Sequence, residues 1–200
     1  GRKDPKAVDF AWPHLDSADR WLRSAARVAI ESQDVSLWRQ RALAETRVNA
    51  SINALLALAR KGDKETLPAL LENLDRLAKK ELTEAQSLEA LRVLQVGFIR
   101  LGRPDADTTA EAVKSLSKFY PAKTESLNRE LCQLLAYLDA PDVITKTLAL
   151  LATAPTPEEQ MHYAFVLRNV KAGWTPAQRR VYLSWFNHAL RENKGGNSFA

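Results

Sequence analysis

The chain carries helix start and stop signals more densely than any other pattern. The densest run is residues 139–176, DAPDVITKTLALLATAPTPEEQMHYAFVLRNVKAGWTP. Asp139-Ala140-Pro141 opens a helix, with Pro141 near the first helical position, where a missing N–H costs nothing. Ile144, Leu148 and Leu151 then recur at helical spacing. Pro155 stops that helix. Thr156 caps the next, Pro157 fits its first turn, and Glu159 stands where a capping-box carboxylate reaches back. Gly173 ends it, and Thr175-Pro176-Ala177-Gln178 repeats the start signal. Signals this frequent spell stacked antiparallel helices rather than a pocket built around one motif.

The remaining chain follows the same grammar. Residues 1–16 lack clear periodicity and read as an entry segment that packs Phe10 and Trp12 on the first helix pair. Asp16 or Ser17 caps a helix through Glu31, with Trp21, Leu22, Ala25, Ala26, Val28 and Ala29 mostly inward. Asp34 caps a short helix carrying Leu37, Trp38 and Leu43. Asn49 opens another, whose Ile52–Leu55–Leu56–Ala59 stripe ends at Gly62. Leu67, Leu70, Leu71, Leu74 and Leu77 mark the inner face of the next. Thr83 and Gln86 form a capping box for a long helix ending at Gly102, in which Gly97 implies a close helix contact. Thr108 and Glu111 make a second box. Thr124 opens a helix lined by Leu127, Leu131, Leu134, Leu135 and Leu138, and a last helix runs from Pro176 to about Glu192 with Tyr182, Trp185, Phe186 and Ala189 on or beside one face. Residues 193–200 read as a flexible tail.

No stretch shows strand alternation, so the expected fold is all-α. Gly62-Asp63, Gly102-Arg103 and Ala140-Pro141 lie roughly forty residues apart, the period of HEAT or armadillo repeats. The expectation is one α-α superhelix of stacked helix pairs over 17–192, its terminal pairs capped by aromatic residues. The apolar fraction of 46% suits a chain that buries a core. The formal charge of +5 is mild, with positive residues densest near the two ends and a net acidic stretch from Asp105 to Asp142, whereas a nucleic-acid binder concentrates its cations more sharply. Cys132 is the single cysteine, so no internal disulfide can form. No run reaches the roughly 18 apolar residues of a membrane helix, and the polar start Gly1-Arg2-Lys3-Asp4 is not a signal peptide.

Four segments, WLRSAARVAIESQ (21–33), YPAKTESLNRELCQLLAYLDAPDVITKTLALL (120–151), TPEEQMHYAFVLRNVKAGWTP (156–176) and KGGNSFA (194–200), carry a resemblance. They resemble the helical-repeat segment of large secreted multidomain proteins of planctomycete-type bacteria. In that family the segment lies between a propeller-like, dehydrogenase-like or haem-binding region and a c-type cytochrome module. The resemblance implies an extracytoplasmic spacer or docking domain of a redox protein, with neighbouring domains or another protein as partners. It carries over no catalytic residue. Haem attachment in the family needs Cys-x-x-Cys-His, a motif this chain lacks.

The motifs of catalysis are missing. There is no GxGxxG and no GxxxxGK[ST], and His14, His162 and His188 lie far apart, none paired with a second ligand at i+3 or i+4 in a recognisable metal-site pattern. Cys132 has no adjacent histidine and lies on an apolar helix face. Glu158-Glu159 reads as a helix-start pair rather than an acid–base pair, since the first turn of a helix favours acids for dipole reasons alone. Met161 and His162 project about 100° apart on a helix and could not sandwich one iron. No catalytic residue, metal ligand or cofactor is therefore expected. The strongest candidate binding cluster is Arg168, Asn169, Lys171, Trp174, Arg179 and Arg180, around the turn joining the last two helices. There Trp174 beside cations could stack a base, a sugar or a partner's side chain, or could simply plug the end of the core. The expected function is a non-enzymatic scaffold. The alternatives are a nucleic-acid binder such as a DNA glycosylase, and a haem or small-ligand binder using His162 or His188.

Overall fold

A computed structural model describes residues 3–4 and 6–192; the expected tail, 193–200, lies outside the described residues. Helices are the only regular structure among them, so the chain is all-α. The helices are α1 (Lys6–Ala11), α2 (Arg20–Glu31), α3 (Arg39–Ala44), α4 (Val48–Lys61), α5 (Leu67–Ala78), α6 (Glu84–Leu101), α7 (Ala106–Leu116), α8 (Glu125–Tyr137), α9 (Val143–Thr153), α10 (Pro157–Leu167) and α11 (Pro176–Glu192), with short 3-10 turns between some of them. They fall into two compact units, Gly1–Ala112 and Val113–Ala200.

The first unit is built around α4. Its sequence interleaves Ala50, Ala54, Ala57 and Ala59 with Ile52, Leu55 and Leu58, so it offers apolar surface on every side and small side chains where neighbours approach. Nine of its fourteen residues are buried, and α2, α3, α5 and α6 all pack on it. Its buried polar groups are satisfied locally, Asn53 Nδ2 donating to Asn49 O and Ser51 Oγ to Glu45 O, each at 2.9 Å. Gly62 ends α4 by close approach: a Cβ there would stand 2.7 Å from Leu58 O and 2.8 Å from Thr66 Oγ1.

The entry segment is helical. Val8, Ala11, Trp12 and Leu15 turn inward at helical spacing, which carries Phe10 to the outside (77% exposed) and corrects its expected packing. Trp12 is locked by Glu45: its indole N–H donates to Glu45 Oε2 at 2.9 Å, and the Arg41 guanidinium lies 4.4 Å from its ring centre while reaching Asp9. Glu45 also accepts from Arg47 Nε and Nη2 and from the backbone N–H groups of Thr46 and Arg47. The Arg47 guanidinium is the main cause that lowers the Glu45 carboxyl from its ordinary 4.5 to about 2, against the opposing effect of burial. The fold thus favours the ionised form. The stability it contributes is complete above pH 4.5 and is lost as pH falls toward 2. Glu45→Gln is expected to be less stable than the parent at neutral pH, with the gap closing across that acid window in denaturant titrations. A gap unchanged by pH would refute the assignment.

The inner face of α2 differs from the expected one. Asp19, not Asp16 or Ser17, caps it, accepting from the N–H groups of Trp21 and Leu22. Ala26 and Ile30 are buried, while Trp21, Leu22 and Val28 are exposed. Arg23 and Arg27 share the Ala26–Ile30 side of the helix, and both are paired there: Arg23 meets Glu89 of α6 at 3.2 Å and the carbonyls of Ser17 and Ala18, and Arg27 flanks Glu31. Arg39 and Arg41 are likewise paired, Arg41 with Asp9 and Arg39 with Asp63 through two hydrogen bonds.

On α5, Leu67, Leu70, Leu74 and Leu77 are buried and Leu71 is half-buried. The Thr83–Gln86 capping box of α6 is present in both directions. A Cβ on Gly97 would lie 3.6 Å from Leu70 and 3.8 Å from Leu67, ordinary contact distances, so α5 packs there with room for a methyl group. Gly102, which follows α6, has φ of 97°, a conformation that favours glycine. Asp105, rather than Thr108, caps α7, accepting from the Thr108 N–H at 2.8 Å.

In the second unit α8, α9 and α10 pack on one another and α11 packs on α9. Leu131, Leu135, Val143, Tyr163 and Leu167 form the most enclosed part of its core. Thr147, fully buried, places its hydroxyl 2.8 Å from Tyr120 Oη and 3.6 Å from Cys132 Sγ, and burial raises both the tyrosine and the thiol above their ordinary pKa values. Cys132 is thus a buried thiol. Asp139 belongs to the end of α8: it takes a left-handed φ of 56°, and the Ala140 N–H returns to Leu135 O. The next helix starts only at Val143. Thr156 caps α10 as expected. Glu159, however, does not serve as the expected capping carboxylate; buried, it accepts from Tyr163 Oη at 3.0 Å. That helix ends at Leu167, six residues before Gly173. Thr175 and Gln178 form a reciprocal box before α11. On α11, Tyr182, Trp185 and Ala189 are half-buried, and Phe186 is exposed with Val181, Leu183 and Leu190.

Candidate functional site

Five of the six residues singled out from the sequence lie in or beside the turn from α10 to α11, and Arg180 is on the first turns of α11. Trp174 is half-buried, its indole N–H donates to Val170 O at 2.7 Å, and its ring packs against Tyr182 at 5.3 Å. The Tyr182 hydroxyl donates to Ala164 O. Trp174 therefore ties the turn to α11 through Tyr182, and Tyr182 ties α11 to α10. Arg179 lies 5.8 Å from the Trp174 ring centre, whereas Arg168 stacks on Phe165 at 5.0 Å. Asn169 Nδ2 donates back to Phe165 O. Lys171 and Arg180 are exposed. The cations are thus divided between two aromatic rings rather than gathered on one.

The histidines are separate. His162 is half-buried, its Nε2 donates to Arg129 O at 3.2 Å, and burial lowers its pKa. His14 faces Phe10, and His188 is exposed on α11. Among the described residues no group of three or more His, Cys, Asp or Glu is arranged to hold a metal ion, and no helix is long and apolar enough to cross a membrane.

A second arrangement, in the first unit, was missed from the sequence. The C-terminal parts of α2, α4 and α6 border a groove of about 610 Å³. Arg60 and Lys61 come from the last turn of α4, and Arg92, Val96 and Arg100 recur at i, i+4 and i+8 on α6. Val28 and Ile99 supply further apolar lining, both exposed. The Arg92 guanidinium donates to Gln95 Oε1 at 3.0 Å and Arg100 to Arg60 O at 3.3 Å. Both acceptors are neutral, so neither charge is cancelled by its partner. Glu31 is the one acidic lining residue. It is 8% exposed, meets Arg60 Nε at 3.0 Å and stands 3.6 Å from Arg27 Nε. Glu31 Oε1 and Arg27 Nε have no hydrogen-bond partner among the described residues. The groove therefore joins an apolar lining to four cations and one carboxylate already engaged by arginine.

The i, i+4, i+8 pattern on α6 was visible in the sequence, but its approach to the end of α4 required the fold. Comparison with family models, curated proteins and solved structures finds no match for the chain.

Proposed function

We propose that the chain is a non-catalytic helical interaction and spacer domain. The observation that carries this reading is the display of large apolar side chains on both units beside cores that are already filled. Phe10, Trp21 and Ile99 stand exposed on the first, and Phe165, Leu183 and Leu190 on the second. Exposed apolar surface of this kind suits contact with another polypeptide. The buried thiol, the carbonyl-bound His162 and the tyrosine-bound Glu159 are spent on packing, which supports a binding role over a chemical one.

In the finer form of this proposal, the helix pairs stack as a HEAT-like α-α superhelix. The domain then spaces or docks modules of a larger extracytoplasmic redox protein that carries a c-type cytochrome, with the haem held by that module. Its partners are neighbouring domains of the same polypeptide or another protein. The full-length gene tests that placement: a secretion signal upstream and Cys-x-x-Cys-His downstream support it, and a frame encoding these two hundred residues alone overturns it. The interaction role has its own test. Purified chain offered redox and hydrolytic substrates is expected to give no turnover; turnover abolished by a single substitution would overturn it. A nucleic-acid-binding reading, including a DNA glycosylase, draws on the groove cations and a pI near 9.4.

A further inference from the structure

We propose that the groove bordered by α2, α4 and α6 docks an acidic amphipathic segment of a partner polypeptide. The inference rests on the interaction reading and gives it a site and a partner chemistry. Lys61, Arg92 and Arg100 lack a carboxylate partner among the described residues, and Arg60 shares Glu31 with Arg27. The groove thus carries uncancelled positive charge. Its apolar members are Val28 from α2 and Val96 and Ile99 from α6, the helix that also supplies Arg92 and Arg100, and Ile99 is 76% exposed.

The occupant follows from that combination. A small anion would satisfy the cations and leave Val28 and Ile99 in water. A single-stranded nucleic acid gains much of its affinity by stacking bases on aromatic rings, and among the described residues no aromatic side chain lines this groove. A duplex needs phosphate contacts from many cations along its length. A helical segment with leucine-like side chains on one face and carboxylates flanking it matches both features at once. The apolar stripe covers Val28, Val96 and Ile99, and the carboxylates meet Lys61, Arg92 and Arg100. Charge-assisted hydrogen bonds to arginine would fix its register, and complementary potential would speed its capture.

The test is a fluorescence-anisotropy titration with a labelled synthetic peptide of about three helical turns, carrying leucine at i, i+3, i+4 and i+7 and glutamate or aspartate elsewhere. Saturable one-to-one binding is expected, weakening as salt rises. The double variant R92E/R100E should bind at least tenfold more weakly, and Ile99→Ser several-fold more weakly. All three substituted side chains are exposed, and circular dichroism of each variant verifies the fold. A peptide with the same composition scrambled off one face should lose several-fold in affinity. Binding unchanged by R92E/R100E, no saturable binding, or preference for a single-stranded oligonucleotide would each overturn the proposal. Failure here with no turnover removes the groove and leaves the interaction role standing; turnover removes the interaction role whatever the peptide does.

Discussion

Leu135→Ala is expected to destabilise the second unit by about 2–5 kcal/mol. Leu135 has no accessible surface and sits on α8, which packs on both α9 and α10. Truncation removes buried methyl groups and leaves a cavity whose walls are three helices held by one another, so relaxation can recover only part of the loss. Urea unfolding should show a lower midpoint with an unchanged slope. A loss below about 0.5 kcal/mol, the size of an ordinary surface change, would mean that the face is misassigned. Leu71→Ala is the instructive contrast. It occupies an equally good place in a leucine stripe, but it is half-buried on α5, and its loss should stay near 1 kcal/mol. Leu70, which is fully buried, takes the larger cost.

Glu31→Ala is expected to cost the first unit about 3 kcal/mol, the lower end of the range for breaking a buried ion pair. The carboxylate is 8% exposed and stands between Arg60 at 3.0 Å and Arg27 at 3.6 Å. Arg60 is half-exposed and can turn to water. Arg27 retains only 16% of its side-chain exposure, and its Nε already lacks a hydrogen-bond partner among the described residues. Removing the carboxylate leaves that guanidinium uncompensated. Glu31→Gln keeps the shape and loses the charge, so it should fall between the parent and Glu31→Ala in denaturant midpoint. Combining Glu31→Ala with Arg27→Met should recover part of the loss, since no unpaired charge then remains inside. No recovery in the double variant would show that the cost is one of packing alone.

The site was only partly legible in the sequence. Arg168, Asn169, Lys171, Trp174, Arg179 and Arg180 were visible because they are close along the chain, around one turn. The groove of the first unit was not, because Arg60 and Arg92 are thirty-two positions apart and Glu31 comes from a third helix. Trp21 and Leu22 were misplaced for a related reason. Apolarity alone argued that they face inward, but the side of α2 that carries Ala26 and Ile30 is the buried one, and Arg23 on that side finds its partner Glu89 sixty-six residues away.

What the sequence determined by itself was the all-α class and the ends of many helices. The Thr83–Gln86 and Thr175–Gln178 boxes, the Thr156 cap and the stops at Gly62 and Gly102 depend on a few adjacent residues and their backbone geometry. Hydrogen bonds spanning three or four residues do not need the rest of the molecule. The tertiary structure decided which face each helix buries. It made α4 the centre of the first unit, gave Glu159 to Tyr163 instead of to the helix start, and joined the ends of α2, α4 and α6 into a cationic groove. Those outcomes depend on which charges find partners and which surfaces leave water together. The deciding energies arise between residues far apart in the chain, and local periodicity carries no record of them.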